Sequence, residues 1–248
     1  MGSNFIRSFS DFREIVTGAA PGNSDFFRGE PRDYFELIPK IGRLIKTREP
    51  RPGVELRYRS QIVGERKILE RFKRNALPLL AVLPRNDWEW LALAQHHGLP
   101  TRLLDWTSNP LIALYFAVGT TLTSDDLASE KAVEPRRTGG SAFYHLRTRH
   151  DLLDTSAQGP FDIKGAGLFA APVVTQRIRA QSGFFTIQGD PHRPLTEQWS
   201  RHRLHRYVIP FESRETLRRE LLLYGINHAF VFPDLDGLSR QLQEKLDD

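Results

Sequence analysis

Cysteine is absent from this 248-residue chain and methionine occurs once. Without thiols there is no disulfide framework and no thiolate chemistry, so a reducing, cytoplasmic setting is the expectation. No apolar run reaches the length of a membrane span, and Met1-Gly2-Ser3-Asn4 lacks a secretory pattern. A myristoylation start would need Ser or Thr at position six, where Ile6 stands. No membrane partner is therefore expected. Several catalytic signatures are missing too: the phosphate-cradling Walker loop, the dinucleotide Gly-x-Gly-x-x-Gly, the metalloprotease helix and the nucleophile elbow. Their absence argues against a P-loop ATPase, a Rossmann dehydrogenase and a serine hydrolase. The pair His96-His97 does not make a metal site. Neighbours on a helix point different ways, and no third or fourth ligand follows at a recognisable spacing. A histidine bonding to substrate or backbone is the expectation there.

What is present suits one domain of mixed composition. The net charge of +5 attracts anions in general: nucleotides, nucleic acid or acidic proteins. Apolar periodicity predicts helices over 5–17, 61–75, 88–97, 111–118 and 213–224, and a last one beyond the turn at 232–237. Strands are predicted at 24–28, 101–107, 141–146, 183–188, 206–210 and 229–231. Residues 151–172 read as irregular cover over part of a pocket. Segments 44–60 and 119–140 read as exposed, mobile loops, the first broken by Pro50, Pro52 and Gly53. Strands and helices in irregular order predict an α+β fold rather than a doubly wound parallel sheet.

Two segments place charged and hydroxyl side chains where a core prefers apolar ones, as functional sites do. In Asp25-Phe26-Phe27-Arg28-Gly29-Glu30, Arg28 emerges from a strand with a guanidinium fork suited to phosphate or carboxylate. A structural ion pair with Asp105 is the other reading. Gly29 either admits a ligand close to the backbone or makes a turn. The second segment runs from His96 to Pro110. There Thr107 and Ser108 lie beside a helix start at Asn109-Pro110, whose free amides favour an anion or polar ligand. Ser108 sharing the cap is the plainer reading. Arg102 and Asp105, three apart, face opposite sides of a strand, one serving the pocket and the other tying down loops. Trp106 reads as core. Gln181 suits a sugar hydroxyl or a structural bond. The His-Arg cluster at 201–206 reads as a solvated charged face or a docking point for an acidic partner.

At these residues the chain resembles the FRG domain family, named for its aromatic-Arg-Gly motif. The matching pieces are Phe27-Arg28-Gly29, Leu37-Ile38-Pro39 with Gly42-Arg43, and the run Ala94 to Thr107. Ala113 to Ala117, Arg177-Ile178 with Gln181 to Phe185, and Phe232 to Gly237 complete the set. A more distant similarity is to ADP-ribosyltransferases of the Arg-Ser-Glu type. Arg28 matches their first element, and Thr107-Ser108 before Ala113-Leu114-Tyr115-Phe116-Ala117 matches the second. At the third, where they carry glutamate, this chain has Gln181.

That resemblance implies an ADP-ribosyltransferase-like split β-sheet, mixed or antiparallel, flanked by helices. It implies NAD as co-substrate and transfer of ADP-ribose to a protein or nucleic-acid acceptor, in a bacterial toxin or phage-defence role. The basic stretch 43–74 points toward nucleic acid. Arg28, Ser108, Gln181 and Asp105 would be catalytic. Arg28, Gly29, His97, Arg102, Thr107 and Ser108 would hold NAD. Glutamine cannot supply the full negative charge an oxocarbenium-like transition state needs, so either Asp105 or Glu30 substitutes, or the enzyme is slow, or the chain binds its ligand without catalysis. The alternatives are an NAD glycohydrolase and a non-catalytic sensor of nucleotide or nucleic acid.

Overall fold

Strand and helix starts follow local chemistry. In the computed structural model, which describes residues 4–18, 24–44, 54–120, 128, 139–148, 152–170, 181, 183–199, 203–244 and 246, helix α1 is Phe9–Thr17. It begins later than residue 5 because Ser8 and Asp11 form a reciprocal capping box. Phe5 instead bridges Val208 in parallel register. Strand β1, Ser24–Glu30, precedes α2, Lys40–Leu44, and α3, Val54–Ala76. Helix α3 thus takes in 54–60, which the sequence reading placed in a loop; residues 45–53 of that loop lie outside the described residues. Helix α4, Asp87–His96, is capped by Asn86 rather than Asp87, because the Asn86 side chain accepts from the Glu89 amide. Gly98 just beyond it takes a φ of 83°. Strand β2, Leu103–Thr107, is followed by α5, Pro110–Val118, with Asn109 capping Leu111 and proline in the first turn.

The remaining elements are β3, Ser141–Thr148; β4, Ala166–Ala170; β5, Gly183–Gln188; α6, Leu195–Gln198; β6, Arg203–Ile209; α7, Phe211–Leu223; α8, His228–Val231; and α9, Leu235–Glu244. Two expectations change. Residues 151–172 contain β4, which pairs with β5, so this segment supplies a sheet edge rather than irregular cover. Residues 229–231 are helical, because Asn227 caps the turn by accepting from the Phe230 amide. Most of 119–140 lies outside the described residues.

The fold is α+β. Among the described residues one six-stranded sheet forms, with the order β4-β5-β2-β1-β3-β6, and every strand pairing in it is antiparallel. Strand alternation sends Phe26, Leu104, Trp106, Tyr144 and Leu168 to one face, where they pack with Leu37 and Leu195. The opposite face carries two separate apolar clusters. One joins α3 and α4 to Leu103, Phe169, Phe185 and Ile187; the other joins α1, α5 and α7 to Phe27, Phe143 and Ile209. The boundary between them falls near the β1–β2 seam, which has only one ladder pair, Phe27↔Thr107. By contrast, β1 and β3 pair along the whole of β1, from Ser24↔Thr148 to Glu30↔Ala142.

Helix α5 lies directly on β1 because Gly29 has no side chain. A Cβ at Gly29 would stand 1.9 Å from the Ala113 carbonyl oxygen and 2.5 Å from the Ala117 nitrogen. Gly29 therefore admits a helix to the strand, rather than making a turn. Gly29→Ala is expected to cost roughly 3 kcal/mol, because both obstacles are backbone of a buried helix. Urea unfolding measures it, and an unchanged midpoint would contradict this packing.

His145 on β3 is fully buried, stacks on Phe27 at 4.7 Å and meets Asp25 at 2.6 Å. Burial pushes its pKa down; the Asp25 carboxylate pulls the other way, while Arg147 and His205 add to the lowering. The unfolded chain therefore binds this proton more readily than the folded one. Stability is full above the ordinary histidine pKa of about 6.5 and falls as pH drops through the lowered folded value. Unfolding midpoints measured from pH 7.5 downward are expected to show this loss, and His145→Gln to flatten the limb nearest neutrality.

Candidate functional site

A cavity of about 390 Å³ opens where the β1–β2 ladder thins and the two helical clusters part. Strand β1 contributes Arg28 and Glu30, β2 contributes Asp105 and Thr107, α4 contributes Gln95 and His96, and α5 contributes Ala113 and Phe116. Gln181 lies on its wall with Phe184 and Phe185 of β5. The sequence-predicted residues Arg28, Gly29, Asp105, Thr107 and Gln181 thus converge, although more than 150 positions separate the first from the last.

Arg28 organises the seam. Its guanidinium donates to the Asp105 carbonyl oxygen at 2.6 Å and stands 3.6 Å from the Asp105 carboxylate. On the same strand, two residues along and so on the same face, Glu30 accepts from Arg28 at 2.8 Å and closes to 2.6 Å. Both ends of that ion pair are nearly buried, with side chains 12% and 6% exposed. Burial alone would lower the Arg28 pKa, but Glu30 and then Asp105 outweigh it and raise the value. The guanidinium is therefore a permanent cation whose charge is already answered. The plainer reading, an ion pair with Asp105, is realised, and Arg28 also lines the cavity. Arg43 of α2 also feels Glu30; burial lowers its pKa, Glu30 opposes this and Arg28 adds to it.

Asp105 is the exposed charge at the site, with a side chain 63% exposed. Gln95 holds it: its Nε2 donates to the Asp105 carboxylate at 3.1 Å, while its own oxygen accepts from the Thr101 hydroxyl at 2.5 Å. Thr107 does not present an idle hydroxyl. It donates to the Gln181 backbone carbonyl at 2.6 Å and accepts from the Asn109 amide at 3.0 Å. That ties the end of β2 to the approach of β5. The Gln181 side chain donates in turn to the Val231 carbonyl at 3.2 Å.

Several expected site residues fall elsewhere. Ser108 is exposed and does not line the cavity, and neither do Asn109 and Pro110. The cavity meets α5 along Ala113 and Phe116 and reaches Thr120 just beyond its C-terminal end, so the helix-start amides are not its anion trap. His97 is exposed at the C-cap of α4, and His96 lines the cavity in its place. Arg102 is fully buried away from the cavity. It donates to Glu65 of α3 from Nε at 2.9 Å, from a terminal nitrogen at 2.6 Å and from its backbone amide at 3.2 Å. It also stands 4.9 Å from the Phe161 ring. Arg102 precedes the strand and faces α3, 37 residues upstream, so strand alternation could not reveal its partner. Gln95 went unselected, but it left a signal: it lies four after buried Leu91, on a face where a polar side chain needs an internal partner. Among the described residues no group of three or more His, Asp or Glu side chains could hold a metal ion.

Arg102→Met is expected to destabilise the fold by about 3–5 kcal/mol by stranding the buried Glu65 carboxylate. Adding Glu65→Met is expected to recover most of that loss. Thermal unfolding of the single and double variants checks this, and additive losses would contradict the pairing.

Comparison with known families agrees with the seam's sequence. No curated protein and no solved structure matches the chain. The model of one family, the FRG domain, matches residues 23–126, a stretch that contains β1, α4, β2 and α5 and so most of the cavity wall, though not Gln181. This chain carries an FRG domain at residues 23–126.

Proposed function

We propose that the chain is an NAD-using, ADP-ribosyltransferase-like protein that passes ADP-ribose to a protein or nucleic-acid acceptor. One observation carries the reading: of the positions in the Arg-Ser-Glu similarity, Arg28, Thr107 and Gln181 line one cavity beside an exposed carboxylate, Asp105, while Ser108 stays outside it. In the reaction the bond between ribose C1′ and the nicotinamide nitrogen breaks. Its electron pair leaves with nicotinamide, and positive charge develops on the sugar. The acceptor's nucleophilic atom then bonds to C1′ and gives up its proton. Asp105, steadied by Gln95, is placed to stabilise that charge. The Gln181 amide oxygen can accept from a ribose hydroxyl. Arg28 holds the wall in register through Glu30 and the Asp105 carbonyl.

A second reading has its own support. Arg28 is already neutralised by Glu30, and Gln181 occupies the place of a glutamate. Both favour a protein that binds a nucleotide without turning it over. With water as acceptor, the same site is an NAD glycohydrolase.

Nicotinamide release from NAD, with and without cell extract, separates these readings. Release that Asp105→Asn lowers about a hundredfold, the usual loss for one well-placed electrostatic contact of about 3 kcal/mol, supports the enzyme. Release without extract, and with no labelled macromolecule, assigns the glycohydrolase. NAD binding with no release under any condition assigns the sensor. Turnover undiminished by Arg28→Ala would misplace the site altogether.

A further inference from the structure

The cavity lies between two carboxylates and one guanidinium, and the three are not equivalent. Glu30 and Arg28 neutralise each other in a close, nearly buried pair. Asp105 stands 3.6 Å from Arg28 and stays largely exposed. Among the charged side chains that line the cavity, the one left facing outward is therefore a carboxylate. Just beyond α5 the Thr120 carbonyl, also on the cavity wall, is already answered by the Arg214 guanidinium at 2.8 Å. Phe116 and Phe184 supply aromatic surface to the same space. A carboxylate and aromatic residues lining one space of about 390 Å³ suit a planar organic cation, which carboxylates and ring quadrupoles both attract. A phosphate would meet an arginine already paired and an unshielded carboxylate.

We propose that Asp105 and Gln95 form a subsite for a cationic nitrogen heterocycle of the pyridinium class. Asp105 is its counter-charge, and Gln95 is the positioning residue that fixes the carboxylate. Gln95 is itself fixed: the Thr101 hydroxyl occupies its oxygen, and its nitrogen has the Leu103 carbonyl at 3.4 Å besides Asp105. The amide therefore cannot turn over without setting its oxygen against the Asp105 carboxylate and the Leu103 carbonyl. The proposal refines the NAD reading by naming the end of the dinucleotide that enters, and rests on it only for the choice of ring. The oxidised, positively charged ring is selected over its neutral reduced form, and the phosphates lie outside the Asp105 wall.

Calorimetric titration tests this without turnover, using 1-methylnicotinamide as the cation, nicotinamide as the neutral ring and AMP as the anion. The unaltered protein is expected to bind the cation roughly tenfold more tightly than the neutral ring, a difference of about 1.4 kcal/mol. Asp105→Asn is expected to bring that ratio close to one, and Gln95→Ala to lower it. Gln95→Ala is read by the ratio because loosened packing weakens both rings alike. Equal binding of the two rings, tighter binding of AMP, no binding of either ring, or a ratio that survives Asp105→Asn would each overturn the proposal. Nicotinamide release from NAD is scored separately. A cation-selective cavity without release leaves this subsite standing and removes the transferase reading. Release with no ring selectivity does the reverse.

Discussion

The contact on which the site depends is the Arg28 guanidinium set across the thin β1–β2 seam. Two antiparallel strands joined by one ladder pair leave polar backbone short of partners, and such groups must be answered. Arg28 answers by reaching the Asp105 carbonyl, while Glu30 balances its charge from the same strand. A neutral side chain in its place would leave the carbonyl without that donor and Glu30 without its hydrogen-bonded cation. The sheet can therefore part at its centre without losing its order.

The parting has a use because the layer above divides at the same place. Helix α4 with α3 covers one half of the sheet, and α5 with α1 and α7 covers the other. Gly29 brings α5 down onto β1, and Gln95 brings α4 into contact with β2. Between them the sheet exposes Asp105, the one β2 side chain that is exposed while its neighbours are buried. The cavity is thus a consequence of packing rather than of any single motif. Its electrostatic character follows from which charges are paired inside the wall and which is left facing outward.

Much of this was legible in the chain. Asn109-Pro110 starts a helix wherever it stands before an apolar run, and Gly98 and Gly225 stop helices by taking φ values of 83° and 76°. Alternation set Asp105 against Trp106 correctly, one exposed and one core. Errors arose where a local pattern had a distant competitor. Residues 229–231 have strand-like side chains, yet Asn227 folds them into a helical turn. Arg102 has the look of a ligand-binding arginine, yet its partner is Glu65 on α3. Ser108 sits beside a helix start that does not face the cavity.

The sequence by itself determined the α+β class, most element positions and the residues worth watching, because periodicity, capping and turn chemistry act within a few positions along the chain. Only the tertiary structure decided which of those residues meet and with what net charge. Pairing across the sheet joins positions dozens of residues apart, and it brought Glu30 against Arg28 and Gln95 against Asp105. The charge a pocket presents is what remains after such pairings, and that remainder exists only once the chain has folded.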